Sequence, residues 1–398
     1  MQFAFGDYVI DDERYELRKG GASVDVEPQV FALLALLVRH QDRVVTTDEI
    51  LDSVWSGRIV SPSTLTSRIN AARRAIGDDG ARQALIKTVA RRGYRFSGSA
   101  VALDIRAEKA PDVAGKQVAE LHQEVQFCTS GNAVRIAYAT VGEGLPLVKT
   151  GNWLNHLEHD WDSPIWSHML RWLATGRQLI RYDARGNGLS DWDVQDLTFD
   201  GFVSDLESVV DAAGLDRFDL FGASQGCGFS IAYAVKYPER VKKLVLYGGF
   251  ARGRRLRGTP ADIEQAEAMV TLMRTGWGQQ NPAFRQMFTS LFIPEATSDQ
   301  MDWFNELQRK STSPENAMRI RQVSDNMDVV DLLPQVRTPT LVLHCRDDAV
   351  QPFEEGRYIA ANIPGARFVG LEGRNHLILE GDPGWQRFQA EVAAFLAA

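Results

Sequence analysis

The stretch FDLFGASQGCGFSIA, residues 218–232, decides how most of this chain should fold. It begins with an apolar run typical of a buried strand and ends with a run typical of a helix. Between the two, Gly222 and Gly226 have no side chain, so the strand and the helix can approach closely through a sharp turn. Ser224 lies at the centre of that turn, which predicts a serine hydroxyl exposed at the edge of a sheet.

Apolar strand patterns recur on both sides of this stretch and alternate with helical patterns, which predicts a mainly parallel sheet. The predicted strands are residues 125–129, 133–140, 146–150, 178–182, 218–222, 242–247, 340–345 and 367–371. Predicted helices lie between them, including one at 202–213 and one after Ser224. Two short antiparallel strands followed by parallel ones give the strand order expected of an α/β hydrolase.

Asp348 and His376 follow Ser224 along the chain in that order. Together with the Gly-Ala-Ser-Gln-Gly turn, this layout resembles the α/β-hydrolase family of serine hydrolases. In the family, the catalytic aspartate lies four residues before a proline, which selects Asp348 rather than Asp347. The resemblance implies that Ser224 attacks a carbonyl, that His376 takes and returns the proton, and that Asp348 orients the imidazole.

The same resemblance implies an oxyanion hole made of two backbone N–H groups. One belongs to Gln225, directly after the serine, and the other to Asn152, after the third predicted strand. Family members usually have His-Gly where this chain has Thr-Gly at residues 150–151. The donors are backbone groups, so the hole is retained, but the loop that carries Asn152 must be supported differently here.

Residues at about 251–335 have a helical pattern rich in methionine and aromatic residues, which resembles the helical cap over the pocket of this family. Most of these side chains are expected to form the core of the cap, whereas Met287 and Phe288 are expected to face the ligand. Trp153 and His156 follow Asn152 and are expected to line the same pocket. The sequence therefore predicts a small, fairly apolar ligand, or a substrate such as an ester or lactone, without identifying it.

The first hundred residues follow a different plan, with a small sheet, three helices and a hairpin with a basic tip. The segments PQVFALL at 28–34, VW at 54–55 and GYRF at 93–96 resemble the OmpR/PhoB-type DNA-binding domain, a winged helix-turn-helix of the α+β class. Residues 58–95 hold nine Lys/Arg against two Asp/Glu, whereas residues 1–57 hold five against eleven. This confined positive charge is typical of a phosphate-binding face, although the whole chain has a net charge of −8.

The resemblance implies that the helix at 64–76 enters the major groove of double-stranded DNA, and that the hairpin tip reaches the minor groove or the backbone. The side chains expected to meet base edges are Ser63, Thr64, Ser67 and Arg68. Two arginines, Arg73 and Arg74, are expected to contact phosphates, and Arg91 and Arg92 occupy the hairpin tip.

At 398 residues the chain exceeds what one core usually organises, and we predict a winged helix at 1–98, a linker at 99–124 and an α/β hydrolase at 125–398. Three scattered cysteines fit neither a disulfide framework nor a zinc site, and we expect no metal and no cofactor. The N-terminus lacks a signal-peptide pattern, and no apolar run approaches the roughly 20 residues of a membrane span. We therefore expect a cytoplasmic protein without a membrane partner.

These patterns leave three functions open. The first is a one-component transcriptional regulator, acting as a homodimer, in which a ligand of the hydrolase domain controls DNA binding. The second is an active serine hydrolase with an ancillary DNA-binding domain. The third is a binding module whose hydrolase fold serves only for dimerisation or partner docking. The first two are compatible, because an enzyme can sense its substrate by holding it.

Overall fold

The fold is described from a computed structural model, which divides into two compact units, residues 1–117 and 118–398. The structure describes residues 2–11, 16–20, 22–24, 26–41, 43–55, 62–89, 92–98, 100–103, 121–277 and 282–397. No helix in these ranges is long and apolar enough to cross a bilayer.

The N-terminal unit contains two small sheets and three helices. Its strands are β1 (Gln2–Phe5), β2 (Tyr8–Asp11), β3 (Glu16–Lys19), β4 (Ala22–Val24), β5 (Val45–Thr46), β6 (Ile86–Val89), β7 (Gly93–Phe96) and β8 (Val101–Leu103). Its helices are α1 (Pro28–Arg39), α2 (Thr47–Trp55) and α3 (Pro62–Ala75). The sheets have the orders β4-β3-β2-β1-β8 and β5-β7-β6, and the second contains the predicted hairpin. This confirms the predicted winged-helix fold.

Helix α1 forms the centre of this unit, since it contacts both α2 and α3. Phe31, Leu34 and Leu37 recur at helical spacing on its buried face and pack with Ile69 of α3 and Phe96 of β7. The sheet extends further than the sequence predicts, because β8 lies in the segment predicted to be linker and pairs with β1. Residue 99 and residues 104–120 of that predicted linker lie outside the described residues.

The C-terminal unit is built on one eight-stranded sheet. Its strands are β9 (Glu124–Ser130), β10 (Val134–Val141), β11 (Leu145–Lys149), β12 (Arg177–Tyr182), β13 (Phe218–Ala223), β14 (Val241–Tyr247), β15 (Thr340–Cys345) and β16 (Arg367–Leu371). Their order is β16-β15-β14-β13-β11-β12-β10-β9. β10 pairs antiparallel with β9 and β12, and the six strands from β11 to β16 are parallel. The predicted α/β-hydrolase fold is therefore confirmed.

Helices cover both faces of this sheet and form the cap. Those of the core are α4 (Leu157–Trp161), α5 (Ser167–Ala174), α6 (Phe199–Ala212), α7 (Gly226–Lys236), α13 (Phe353–Asn362) and α14 (Trp385–Ala397). Those of the cap are α8 (Arg254–Arg257), α9 (Pro260–Gly276), α10 (Pro282–Phe292), α11 (Ser298–Ser311) and α12 (Pro314–Asp325). Short 3-10 helices span Gly131–Ala133 and Val330–Gln335.

Because β11, β13, β15 and β16 are parallel, the loops that follow them leave the same edge of the sheet. Those four loops carry Asn152, Ser224, Asp348 and His376 in turn. The fold thus gathers at one edge four residues that are far apart in the sequence.

Candidate catalytic site and DNA interface

Ser224 lies in the sharp turn between β13 and α7, with a φ of 52°. A non-glycine residue rarely adopts this left-handed backbone conformation, and it marks a strained turn. A Cβ added at Gly222 would lie 2.6 Å from the Oγ of Ser230, and one added at Gly226 would lie 2.8 Å from the carbonyl oxygen of Gly151. The turn therefore needs glycine at both positions, as the sequence predicts.

The side chains of Ser224, His376 and Asp348 form one chain of hydrogen bonds. His376 Nε2 lies 2.9 Å from Ser224 Oγ, and His376 Nδ1 lies 2.7 Å from Asp348 Oδ2. The His376 and Asp348 side chains are each only 1% exposed, so water is kept from the interaction between them. The structure therefore brings together the three residues that the sequence predicts, in an arrangement that can remove a proton from the serine hydroxyl.

The Asp348 carboxylate is held by groups that the sequence analysis did not identify. Its Oδ1 accepts hydrogen bonds from the backbone N–H of Val350 at 2.8 Å and of Gln351 at 2.9 Å. The buried ring of His344 lies 3.5 Å from its Oδ2. Burial disfavours the carboxylate, but the neighbouring His376, with the other contacts, holds the pKa of Asp348 below its usual value. The signal for His344 is a histidine that directly follows the apolar run 341–343 within strand β15.

The two predicted oxyanion donors lie beside this turn. Gln225 precedes the first residue of α7, and Asn152 lies in the loop after β11. Neither backbone N–H donates to another of the residues described here. The Thr150 hydroxyl, 2.7 Å from Ser230 Oγ, supports this loop, and Ser230 in turn donates to the Gly226 carbonyl at 2.7 Å. The threonine that replaces the family histidine therefore ties the oxyanion loop to the serine turn.

A buried lysine lies beneath the oxyanion loop. The Nζ of Lys149 donates to Asn152 Oδ1 and lies 5.0 Å from the centre of the Trp166 ring. Burial lowers the pKa of Lys149 to about 8, against the opposing attraction of the Asp160 carboxylate. The sequence analysis missed this residue, because a lysine at the end of a strand is usually solvent-exposed.

The four predicted pocket residues have different surroundings. Trp153 contacts Trp277 with 6.0 Å between ring centroids, and Trp277 contacts Phe288 at 6.1 Å, so two of the four belong to one aromatic cluster. Met287 is half-buried and packs against the core of the C-terminal unit. His156 instead precedes α4 and accepts a hydrogen bond from the backbone N–H of His159.

The cap is fastened directly to the loop that carries His376. The backbone N–H of His376 donates to the carbonyl of Phe292, the last residue of α10, at 2.8 Å. The Phe292 and His376 rings are 5.7 Å apart between centroids. The backbone N–H of Glu295 donates to Asn375 Oδ1 at 3.0 Å. A displacement of α10 would therefore move the imidazole relative to Ser224.

In the N-terminal unit, several predicted DNA contacts are accessible. Ser67 and Arg74 on α3 and Arg92 beside the hairpin are exposed, and Thr64 is half-buried. Arg68 forms an ion pair with Glu27, which the predicted contact with a base edge would have to displace. Only the backbone of Ser63 is described, at the start of α3, and the predicted contact of Arg91 lies outside the described residues.

Arg73 requires a correction. The sequence predicts that it contacts phosphate, but its side chain is buried, with the residue 4% exposed. Its Nη2 donates to the carbonyl of Ile86 and to Thr88 Oγ1, both at 2.9 Å. The helical spacing that places Arg74 toward solvent turns its neighbour toward β6. Arg73 therefore holds α3 against the hairpin.

The neighbouring arginines give a paired prediction. Arg74→Ala should weaken DNA binding about five- to tenfold at every sequence and reduce the salt dependence, because a phosphate contact carries no sequence information. Arg73→Ala should instead lower the free energy of unfolding by about 1–3 kcal/mol, because it leaves buried acceptors unpaired. Fluorescence anisotropy at several salt concentrations and thermal unfolding measure the two effects. An Arg73→Ala variant of unchanged stability that has lost DNA affinity would contradict the reassignment.

Comparison with known proteins matches the two units to two different family models. Residues 21–96 match the model of the family described as transcriptional regulatory protein, C terminal. Residues 151–320 match the model of the alpha/beta hydrolase fold. The matches have the same order along the chain as the two resemblances seen in the sequence.

The individual relatives are similar to the C-terminal unit. A pyrrolizixenacetamide deacetylase of Xenorhabdus hominickii is 26% identical over 210 residues, which cover 52% of this chain and 76% of the deacetylase. A 2-hydroxy-6-oxononadienedioate/2-hydroxy-6-oxononatrienedioate hydrolase of Paraburkholderia phymatum is 29% identical over 203 residues, 48% of this chain and 68% of that enzyme. The crystal structure of a hydrolase from Pseudomonas aeruginosa PA01 superposes with a TM-score of 0.58 and 23% identity, over 69% of this chain and 98% of that chain. The last similarity establishes the fold alone.

Proposed function

Because this chain joins an OmpR/PhoB-type winged-helix DNA-binding domain to an α/β-hydrolase-fold domain, we propose that it is a one-component transcriptional regulator. In this proposal the hydrolase-fold domain binds a small molecule and its occupancy controls DNA binding. The chain acts as a homodimer, since winged-helix proteins commonly bind paired half-sites. The ligand is small and fairly apolar, in keeping with the aromatic cluster of Trp153, Trp277 and Phe288.

The hydrogen bond between His376 and Phe292 supports this proposal most strongly. It connects the cap, which a ligand in the pocket would contact, with His376, which lies beside Ser224. A ligand can change an equilibrium only through a difference in its affinity for two states. The cap is hydrogen-bonded to the loop that carries His376, so a ligand that contacts the cap would change the position of that loop.

The DNA-binding half of the proposal is tested by a gel-shift titration of the full chain with DNA from upstream of its own gene. We expect the upstream fragment to bind at least about tenfold more tightly than an unrelated fragment of equal length and base composition. Arg74→Ala should weaken binding to both fragments by the same factor. Equal affinity of the wild-type protein for the two fragments would contradict a regulator of its own promoter region.

The hydrogen bonds among Ser224, His376 and Asp348 favour a second function, hydrolysis of an ester, lactone or similar acyl compound. The named activities of the relatives, deacetylation and hydrolysis of an oxo-dienedioate, belong to those proteins and fix no substrate for this one. Turnover and sensing use the same pocket, so an active enzyme can serve as the sensor. A purely docking role for the hydrolase fold predicts that Ser224 is unreactive.

A further inference from the structure

A cavity of about 430 Å³ lies between the cap and the core of the C-terminal unit, outside the serine turn. Four arginines line it: Arg252, Arg254, Arg257 and Arg321. Two acidic residues, Asp262 and Glu355, also line it, so positive charge is in excess. The wall formed by α10 is apolar and includes Phe288, Leu291 and Phe292. The cavity therefore has a cationic side and an apolar side.

Two of the four arginines are neutralised within the fold. Arg257 lies 3.5 Å from the carboxylate of Glu355, and Arg321 forms an ion pair with Asp325 at 2.9 Å. These two guanidinium groups have structural partners on neighbouring elements. The buried one of the two lining acids, Glu355, which is 8% exposed, is already the partner of Arg257.

Arg252 and Arg254 have no such partner. Neither forms an ion pair with any residue in the described part of the chain. Arg252 stacks over the Tyr358 ring at 5.1 Å, and its buried Nε donates to no described acceptor. Among the residues that the structure describes, Arg254 donates only to a neutral group, the Val350 carbonyl, at 3.3 Å. Both retain donors for an external acceptor.

The cations around this cavity repel one another. Burial lowers the pKa of Arg254, and the nearby guanidinium groups of Arg321 and Arg257 lower it further, against the opposing carboxylates of Asp325 and Asp262. An anion placed among them would relieve this repulsion and would satisfy the free donors in a medium of reduced dielectric.

We propose that this cavity binds an organic carboxylate, with the carboxylate held by Arg252 and Arg254 and its apolar chain packed against Phe288 and Phe292. A planar carboxylate matches the fork of a guanidinium group, and the apolar wall favours an attached hydrocarbon over an inorganic anion. This inference rests on the proposed ligand-sensing function and adds a second cavity, distinct from the pocket at Ser224, with a stated class of ligand.

The position of the cavity links such a ligand to the triad. Ala349 and Val350 line it and directly follow Asp348, and the backbone N–H of Val350 is one of the donors to that carboxylate. Phe292 lines it and accepts the hydrogen bond from His376. An occupant therefore contacts the segments that hold two members of the triad.

The test uses the full chain with octanoate as the probe, and octanamide and inorganic phosphate as matched controls. Octanoate should raise the melting temperature in a saturable manner, and octanamide and phosphate at the same concentrations should not. In Arg252→Gln and Arg254→Gln, the apparent Kd for octanoate should rise about tenfold or more, because each loses a charged hydrogen bond. Arg255→Gln is the control, since Arg255 belongs to the same helix but pairs with Glu267 at 3.0 Å and does not line the cavity.

The wild-type comparison keeps the test valid even if a variant is unstable. An equal shift by octanamide, or no shift by octanoate, would overturn the proposal, as would an equal loss of affinity in Arg255→Gln. The measurement is independent of DNA. Octanoate binding without any effect on DNA affinity would contradict the proposed regulation alone, whereas a regulator that ignores carboxylates would contradict this inference alone.

Discussion

Replacing Ser224 by alanine should abolish covalent labelling of the protein by an alkyl fluorophosphonate. In the wild-type protein, Ser224 Oγ forms a bond to phosphorus, fluoride leaves, and the hydroxyl proton passes to His376 Nε2, which lies 2.9 Å away. If the protein is a hydrolase, the same substitution should lower the rate of aryl-ester hydrolysis by a thousandfold or more, on the order seen when a triad member is removed. Mass spectrometry of the intact protein measures the labelling, and absorbance of the released phenol measures the rate.

Ser290→Ala is the matched control for this experiment. Ser290 is exposed on cap helix α10 and donates to the carbonyl of Gln286, so it has no contact with the triad. Its replacement should leave both labelling and hydrolysis unchanged. Labelling of the wild-type protein at another serine, or equal labelling of the Ser224→Ala variant, would show that the hydrogen-bonded chain does not activate this hydroxyl.

Replacing Arg185 by methionine should lower the free energy of unfolding of the C-terminal unit by about 3–5 kcal/mol. Its Nη2 lies 2.7 Å from Asp205 Oδ1, its Nη1 lies 3.0 Å from Asp196 Oδ2, and it also donates to Ser130 Oγ. The Arg185 and Asp205 side chains are both 0% exposed. Burial already raises the pKa of Asp205 against the influence of Arg185, so removing the arginine leaves an uncompensated buried acid. Chemical denaturation followed by fluorescence measures the change.

Arg135→Met is the control for that change. Arg135 also pairs with an aspartate, Asp191 at 2.9 Å, but its side chain is 73% exposed. An exposed ion pair contributes about 0–1 kcal/mol, so this variant should remain close to the wild-type stability. An Arg185→Met variant that is as stable as Arg135→Met but has lost aryl-ester hydrolysis would contradict this structural role. Arg185 would then act on the ligand instead of holding the loop after β12.

The strands of the C-terminal sheet could be predicted within one or two residues from the sequence. Buried parallel strands are short apolar runs, and the polar loops between them mark their ends. The serine turn was equally clear, because the close approach at Gly222 and Gly226 allows no side chain. In the N-terminal unit, Phe31, Leu34 and Leu37 recur at helical spacing, which is the local pattern of a helix with one buried face.

Features that depend on distant contacts could not be read in the same way. Strand β8 exists because β1 offers it an edge, and nothing local distinguishes its three residues from a linker. Arg73 and Arg74 are adjacent basic residues in the sequence. Only the position of β6 shows that Arg73 is buried and hydrogen-bonded to that strand, whereas Arg74 is exposed. His344 and Lys149 each follow an apolar run within a strand, and their roles depend on how the next loop folds back onto them. The partners are Asp348 and Gln351 for His344, and Asn152 for Lys149.

The central claim is that occupancy of the hydrolase-fold pocket controls DNA binding. It is tested most directly by measuring the affinity of the full chain for its upstream DNA before and after complete reaction of Ser224 with an alkyl fluorophosphonate. We predict a change in Kd of at least tenfold, about 1.4 kcal/mol of coupling, in the wild-type protein and no change in Ser224→Ala treated identically. A fully labelled wild-type protein that binds the DNA with unchanged affinity would contradict the account.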